Sequence, residues 1–538
     1  MKRIPLIVLV LVTAFTVNAQ VIHVPSGQPT IQAAIDAASA GDTVVVDDST
    51  YYENINFKGK PITVASRFIL DGDTAHISGT VIDGSQPVHP DSASVVMMIS
   101  GEDTTSVLMG FTITGGGGTV IEGLHPDGPI QGGGGINILY SGGKIINNII
   151  KENHIDSDPA LDRPYGCGIH ATIAEDHTVI IRNNTIRDNA PVGNINSAVG
   201  AGLMLAGGFI IVEHNHIVNN MLITSELSRG AGIFWINPGD QNAEIVIRNN
   251  LIEKNVIDTE ADWCTGGGIH IGTGNLEDKI QIYNNVVSEN QVDMVGGGIY
   301  VFNWYSGVLI FNNTIINNKA DVNGNNLGLE AKNNEGVILF NNIMWSEVGT
   351  ASEDIHIWYD ESPFKVYHNL MMQPIPEIYP VQSENNIYME PVFESDSFNL
   401  AEGSPGIGQG IDEIEIKGLW YFAPSIDFYG NPRPNSIDGY VDIGAVESPH
   451  ERSSNFTKKN ISHELVIYPN PLEDLITIES DFTGYQSIQI TSLNGLLIYS
   501  GEMNGTTHQL DLSSFQSGVY FITIRSEEFV TIRKIIKL

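Results

Sequence analysis

Between about Gly132 and Asn342 the apolar and polar positions recur in blocks that no single helix or strand period describes. Each block opens on a glycine and an aliphatic residue: Gly135-Ile136, Gly168-Ile169, Gly202-Leu203, Gly232-Ile233, Gly268-Ile269, Gly298-Ile299 and Gly328-Leu329. Each runs on to an asparagine, at Asn148, Asn184, Asn215, Asn250, Asn285, Asn313 and Asn342. The first six carry another five residues later, at Asn153, Asn189, Asn220, Asn255, Asn290 and Asn318. Steps of about 28 to 36 residues are the range of solenoid repeats, in which short strands stack coil on coil.

Side chains alternate across a strand, so Ile145, Ile181, Val212, Ile247, Ile282, Ile310 and Leu339 should face a core. Their successors Ile146, Arg182, Glu213, Arg248, Tyr283, Phe311 and Phe340 then face outward, and Arg182, Glu213 and Arg248 should pair as a ladder of opposite charges. Asparagine tolerates a left-handed turn, and its amide donates and accepts along a stack. The asparagine columns therefore read as scaffold, and the longer, variable turns as the place for binding.

Before the repeat, Ile31, Ala34, Ile35 and Ala38 form one apolar stripe behind a Thr30 N-cap, with Gly41 ending the helix. Strands follow at Thr43–Val46, Ile55–Phe57 and Ile62–Ala65, so this helix should lid the open end of the solenoid. Residues 1–19 read as a secretory signal, with Lys2 and Arg3, an apolar run and Val17-Asn18-Ala19 as the cleavage site. Residues 20–399 are assigned to the solenoid, 400–447 to its C-terminal cap and 448–463 to a polar linker. Residues 464–538 alternate strand-like runs with Asn-Gly and Ser-Gly turns, as a small β-sandwich should.

Three stretches resemble known families. "VPSGQPTIQAAIDAASAGDTVVV" with "YYENINFKGKPITVAS" resembles the start of many secreted right-handed parallel β-helix proteins, including pectin-modifying enzymes. "LAEGSPGIGQGID", "DFYGNPRP" and "VDIGAVE" together resemble the segment that closes the β-helix in many bacterial surface proteins, although Gly406 and Gly408 stand where that pattern more often has Ala and Asp. The last segment, with "VIYPNPLEDLITIES" and "LDLSSFQSGVYFITI", is similar to the C-terminal sorting domain of the type IX secretion system of Bacteroidetes. The expected architecture is all-β: a right-handed parallel β-helix with an N-terminal capping helix, then a small C-terminal β-sandwich. The resemblance implies export past the outer membrane by the type IX machinery, with release or surface attachment.

Acidic residues exceed basic ones by 63 to 26, a formal charge of −37 that disfavours nucleic acid and anionic membrane as partners. No later stretch is long and apolar enough for a transmembrane helix. Cys167 and Cys264 fall three coils apart, roughly 14 Å at the strand spacing, so two free buried thiols are expected. Calcium is the one cofactor considered, at Asp71–Asp73 or Asp321–Asn326, where oxygen ligands gather. The glycine runs lack the lysine and helix start of a phosphate cradle.

In the β-helix polysaccharide lyases that the chain resembles, the cleft lies over the first sheet. Carried over, the outward column after each glycine-aliphatic pair is Asn137, His170, Met204, Phe234, His270, Tyr300 and Glu330, with Phe302 and Lys332 two residues on. His270, Tyr300 and Lys332 are the catalytic candidates. His270 or Tyr300 would take the proton α to a uronate carboxyl, and Lys332 would stabilise the enolate. His170, Phe234, Trp263, Phe302, Trp304 and Glu330 are the substrate-binding candidates. Sheets favour Tyr and Phe without any function, and Glu330 alone is not the carboxylate pair of a hydrolase. Two readings stay open: a polysaccharide lyase acting on a uronic-acid polymer, and a non-catalytic glycan-binding or adhesion protein.

Overall fold

The computed structural model describes residues 19–126, 128–156, 161, 163–237, 242–259, 263–275, 277–303, 307–331, 336–346, 353–358, 364–375, 381–395, 397–416, 418–435, 437, 439–452, 465–480, 485–492, 497–525 and 530–538. Residues 1–18 of the expected signal segment and most of the linker lie outside these residues. The chain divides into two compact units, 1–453 and 454–538.

The first unit is a parallel β-helix. Each regular coil has three main strands, for example Ile269–Thr273, Lys279–Tyr283 and Val286–Ser288, each pairing in parallel with its equivalent one coil on. First and second strands belong to one 21-stranded sheet, because Ile169–Arg182 and Leu203–Glu213 run through the corner between them. Third strands form an 11-stranded sheet. The inward column Ile145, Ile181, Val212, Ile247, Ile282, Ile310 and Leu339 is fully buried in one continuous core. Outward, Glu213 bonds both Arg182 and Arg248, the expected charge ladder.

Turn chemistry divides the two roles of asparagine between neighbouring residues. The first residue of each pair takes the left-handed conformation, as at Asn183, Asn249, Asn284 and Asn312 with φ of 56°, 55°, 53° and 50°. The second carries the ladder: Asn184 Nδ2 donates to Asn215 Oδ1 at 3.0 Å, Asn215 to Asn250 at 3.0 Å and Asn250 to Asn285 at 2.9 Å. A parallel ladder runs through Asn189, Asn220, Asn255, Asn290 and Asn318 at the far end of the third strand. This second ladder then leaves the asparagine spacing, passing from Asn318 to Asn326 and on to Asp354.

That departure corrects the register of the seventh block. Leu327, not Leu329, pairs with Ile299, so the opening pair is Asn326-Leu327 rather than Gly328-Leu329. Asn326 occupies the glycine position because its amide continues the ladder. Gly328 is glycine for another reason: a Cβ there would lie 2.6 Å from the Tyr300 ring.

The N-terminal helix, Ile31–Ala37, is capped by Thr30 Oγ1 accepting from Ala33 N and buries Ile31, Ala34 and Ile35. Glu53 accepts from Ile31 N and Gln32 N, while Lys60 Nζ donates to the carbonyls of Ile35, Asp36 and Ala38. Opposite charges thus meet both ends of the helix dipole.

Residues 400–447, assigned to the C-terminal cap, run back along the flank of the solenoid. Asn249 Nδ2 donates to Asp427 O, Asn284 Nδ2 to Ile426 O and Asn341 Nδ2 to Ile411 O, so the left-handed asparagines of these coils also hold the returning chain. Ile411, Ile414, Ile416 and Tyr421 cover the stacked rings of Tyr283, Phe311 and Phe340. The fully buried Arg433 fixes the segment through Glu447 Oε1 at 2.7 Å, Asn284 Oδ1 at 2.9 Å and Gly444 O at 3.0 Å.

The second unit contains a three-stranded antiparallel sheet (Leu465–Tyr468, Leu475–Ser480, Thr507–Asp511) and a four-stranded one (Tyr485–Ser492, Leu497–Asn504, Gly518–Arg525, Val530–Lys537). Ile476, Ile478, Ile488, Ile490, Ile522 and Ile524 share one apolar cluster between them.

Candidate functional site

Register fixes two outward columns on the first strands. One runs Asn137, His170, Met204, Phe234, His270, Tyr300, Gly328, His356. The other, two residues on, runs Leu139, Thr172, Ala206, Ile236, Gly272, Phe302, Glu330, Trp358. Glu330 therefore sits in the column of Phe302, not in that of Tyr300.

In the first column the positions from Asn137 to Gly328 are buried rather than open to solvent, contrary to the expectation from strand alternation. Short lateral strands, including Pro164-Tyr165, Ala198-Val199, Ser228-Arg229 and Cys264-Thr265, precede each coil and fold over its outer face. The hook that returns the chain is a left-handed glycine such as Gly266, φ 71°, where a Cβ would lie 2.5 Å from Ile269 O. His270 and Tyr300 are left 3% and 2% exposed, and His170, Phe234 and Glu330 are buried as well.

Under this cover the rings stack: Phe234 lies 5.1 Å from His270, and His270 5.2 Å from Tyr300. Tyr300 Oη donates to Glu330 Oε2 at 2.7 Å, and Thr265 Oγ1 shares a hydrogen bond with His270 Nδ1 at 2.9 Å. Burial, then the positive charge of Arg229, hold His270 well below the usual imidazole range, so it is neutral. His170 is pinned between Asn137 Oδ1 at 2.9 Å and Thr172 Oγ1 at 3.2 Å, and burial lowers it to about 4. It serves packing.

The open part of this face lies at its later coils. Trp263, 41% exposed, comes 5.8 Å from Trp358, whose ring meets His356 edge-on at 5.1 Å. His356 Nδ1 is held by Glu353 Oε2 at 2.8 Å. The structure thus joins Trp263, Tyr300, Phe302 and Glu330 of the predicted residues to His356 and Trp358, which the repeat pattern did not reveal. The coil of Ile355–Trp358 has Asp354 where the coils before Asn326 have glycine, so its opening signature is missing. Lys332 and Trp304 lie outside the described residues.

At the turn between first and second strands an open hollow of about 650 Å³ is lined by Glu175, Phe209, Glu244, Glu277, Asp278 and Lys279. Asp278, its buried acid, is consumed by Asn237 Nδ2, Ala243 N, Gly274 N and Asn275 N. The two stretches considered for calcium bond locally: Asp71 and Asp73 accept from Asp73 N and Ala75 N, and Asn325 from Ala320 N. No cluster of three His, Cys, Asp or Glu fit for a metal occurs among the described residues. Cys167 and Cys264 are free and buried.

Residues 106–276 match the family model of a right-handed beta helix region, and residues 466–538 that of a secretion system C-terminal sorting domain. A stretch of 63 residues is 33% identical to an ulvan lyase of Nonlabens ulvanivorans, covering 12% of this chain and 12% of that protein. The chain carries a right-handed β-helix and a type IX sorting domain, which directs it to the cell surface or the extracellular space.

Proposed function

We propose that this secreted β-helix protein engages a polysaccharide at the later coils of its first sheet, with Trp263 and Trp358 as the platform. The observation that carries the reading is the exposed Trp263 ring beside Trp358, since a pyranose presents an apolar face to such rings while its hydroxyls meet polar neighbours. His356 and Glu353 supply those neighbours. The short likeness to an ulvan lyase fits a polysaccharide as ligand.

Binding without chemistry is favoured by the burial of His270 and Tyr300. A lyase reading rests on the Tyr300–Glu330 bond. In that mechanism Tyr300 oxygen, its proton passed to Glu330, removes the proton α to the uronate carboxyl. The electron pair forms a carbon–carbon double bond as the bond to the leaving sugar oxygen breaks, and that oxygen takes up a proton. The lateral strand of Thr265 has to move aside for a sugar to reach Tyr300, and Lys332 is the proposed enolate stabiliser.

The test incubates the full chain with uronic-acid polysaccharides, with and without calcium, following the ultraviolet absorbance of unsaturated ends alongside binding. Absorbance that grows with the wild type and vanishes in Tyr300→Phe supports the lyase. Binding without absorbance, weakened by Trp263→Ala or Trp358→Ala about threefold to tenfold, supports a glycan-binding protein. Absence of both sinks the proposal.

A further inference from the structure

Arg229 is a cation held against the covered face with no ion-pair partner among the described residues. Its strand places it between Val199 and Thr265 in register, half-buried. Its Nε is buried without a hydrogen-bond partner, and its guanidinium forms no ion pair among the described residues. Tyr300, Tyr165 and Glu330 lie within electrostatic range, but the Glu330 carboxylate is engaged by Tyr300 rather than by the arginine. A guanidinium stays charged when buried, so leaving it unpaired destabilises the fold. The chain has 63 acidic residues against 26 basic ones, so a carboxylate for Arg229 was readily available to the sequence.

A planar fork of N–H donors fits a carboxylate or a sulfate oxygen pair better than any neutral group. The residue keeps partial exposure although its Nε is buried, so an anion can approach the guanidinium from its open side, and it shares its face with the stacking platform. We infer that Arg229 holds the anionic substituent, carboxylate or sulfate ester, of an acidic saccharide. This rests on the glycan reading above and narrows it to acidic chains. It also gives a chain of charge −37 a local reason not to repel such a polymer.

The experiment compares full-length wild type with Arg229→Met and Arg229→Lys on polygalacturonate, its carboxyl-reduced form, a sulfated galactan and a neutral galactan. In parallel, thermal unfolding is followed with inorganic sulfate or glucuronate at constant ionic strength. Arg229→Met is expected to weaken binding of an acidic polymer by roughly tenfold or more and to leave neutral polymers unchanged. Arg229→Lys should recover part of the loss. Without ligand, Arg229→Met should melt higher than wild type, because an unpaired charge has gone, and the anion-dependent rise in Tm should disappear.

The ratio between carboxylated and sulfated polymers tells which anion is held. An Arg229→Met protein that melts lower than wild type would show a structural role and overturn the inference. So would unchanged acidic binding, or an equal loss on neutral polymers. If no polymer binds wild type but the anion-dependent rise in Tm depends on Arg229, the glycan reading fails and the anion site stands. If polymers bind through Trp263 and Trp358 but are indifferent to Arg229, the reverse holds.

Discussion

Tyr300 Oη donates to Glu330 Oε2 at 2.7 Å although the two residues stand on neighbouring coils in different columns. The bond reaches across because Gly328, directly beside Tyr300 in register, leaves the ring room to lie flat and point its hydroxyl outward. Tyr300→Phe therefore strands a buried carboxylate and is expected to cost about 1–3 kcal/mol. Glu330→Gln, which keeps an acceptor, should cost less. Urea unfolding of both variants, followed at the near-ultraviolet signal of the buried Trp235, checks the order.

The asparagine ladder makes a second prediction. Asn250 donates to Val212 O, Arg248 O and Asn285 Oδ1, and accepts from Asn215 N and Nδ2. Asn250→Ala leaves several buried backbone groups unpaired and is expected to cost about 3 kcal/mol or more. At the open end Asn386, half-buried, has fewer neighbours, and Asn386→Ala should cost about 1 kcal/mol. Equal melting losses for the two would contradict a ladder whose members depend on burial.

Arg433 joins the returning segment to the solenoid. Arg433→Ala removes one partner of a fully buried pair and leaves Glu447 unpaired, at about 3–5 kcal/mol. The expected readout is rapid proteolytic cleavage within residues 400–448, slow in wild type. Resistance equal to wild type would show that the apolar cover over Phe311 and Phe340 suffices alone.

Asp354 provides the pH dependence. Burial raises its carboxyl from 3.8 to about 7, and its Oδ2 has no hydrogen-bond partner among the described residues. A raised acid binds more protons folded than unfolded, so its contribution to stability is fully present below pH 3.8 and is lost as pH rises toward about 7. Asp354→Asn copies the shape of the protonated acid. It should leave stability unchanged near pH 4 and raise it by about 1–3 kcal/mol at pH 8. A parallel shift at both pH values would rule out Asp354 as the titrating group.

The sequence by itself determined the coil. Apolar alternation, the glycine-aliphatic openings and paired asparagines dictate stacked parallel strands, since only a neighbouring coil can bury that core and satisfy those amides. It also determined the Arg182–Glu213–Arg248 ladder, whose members share one strand position on successive coils. Tertiary structure alone decided what covers the coil. The returning segment over Phe311 and Phe340 joins residues far apart in the chain, and the lateral strand that covers His270, although Thr265 lies only five residues before it, has no periodic pattern of its own, so local periodicity records neither contact. For the same reason outward and exposed parted company here. The exposed Trp263, the partly exposed Trp358 and Arg229, without an ion pair among the described residues, became visible as one surface only when the coils were stacked.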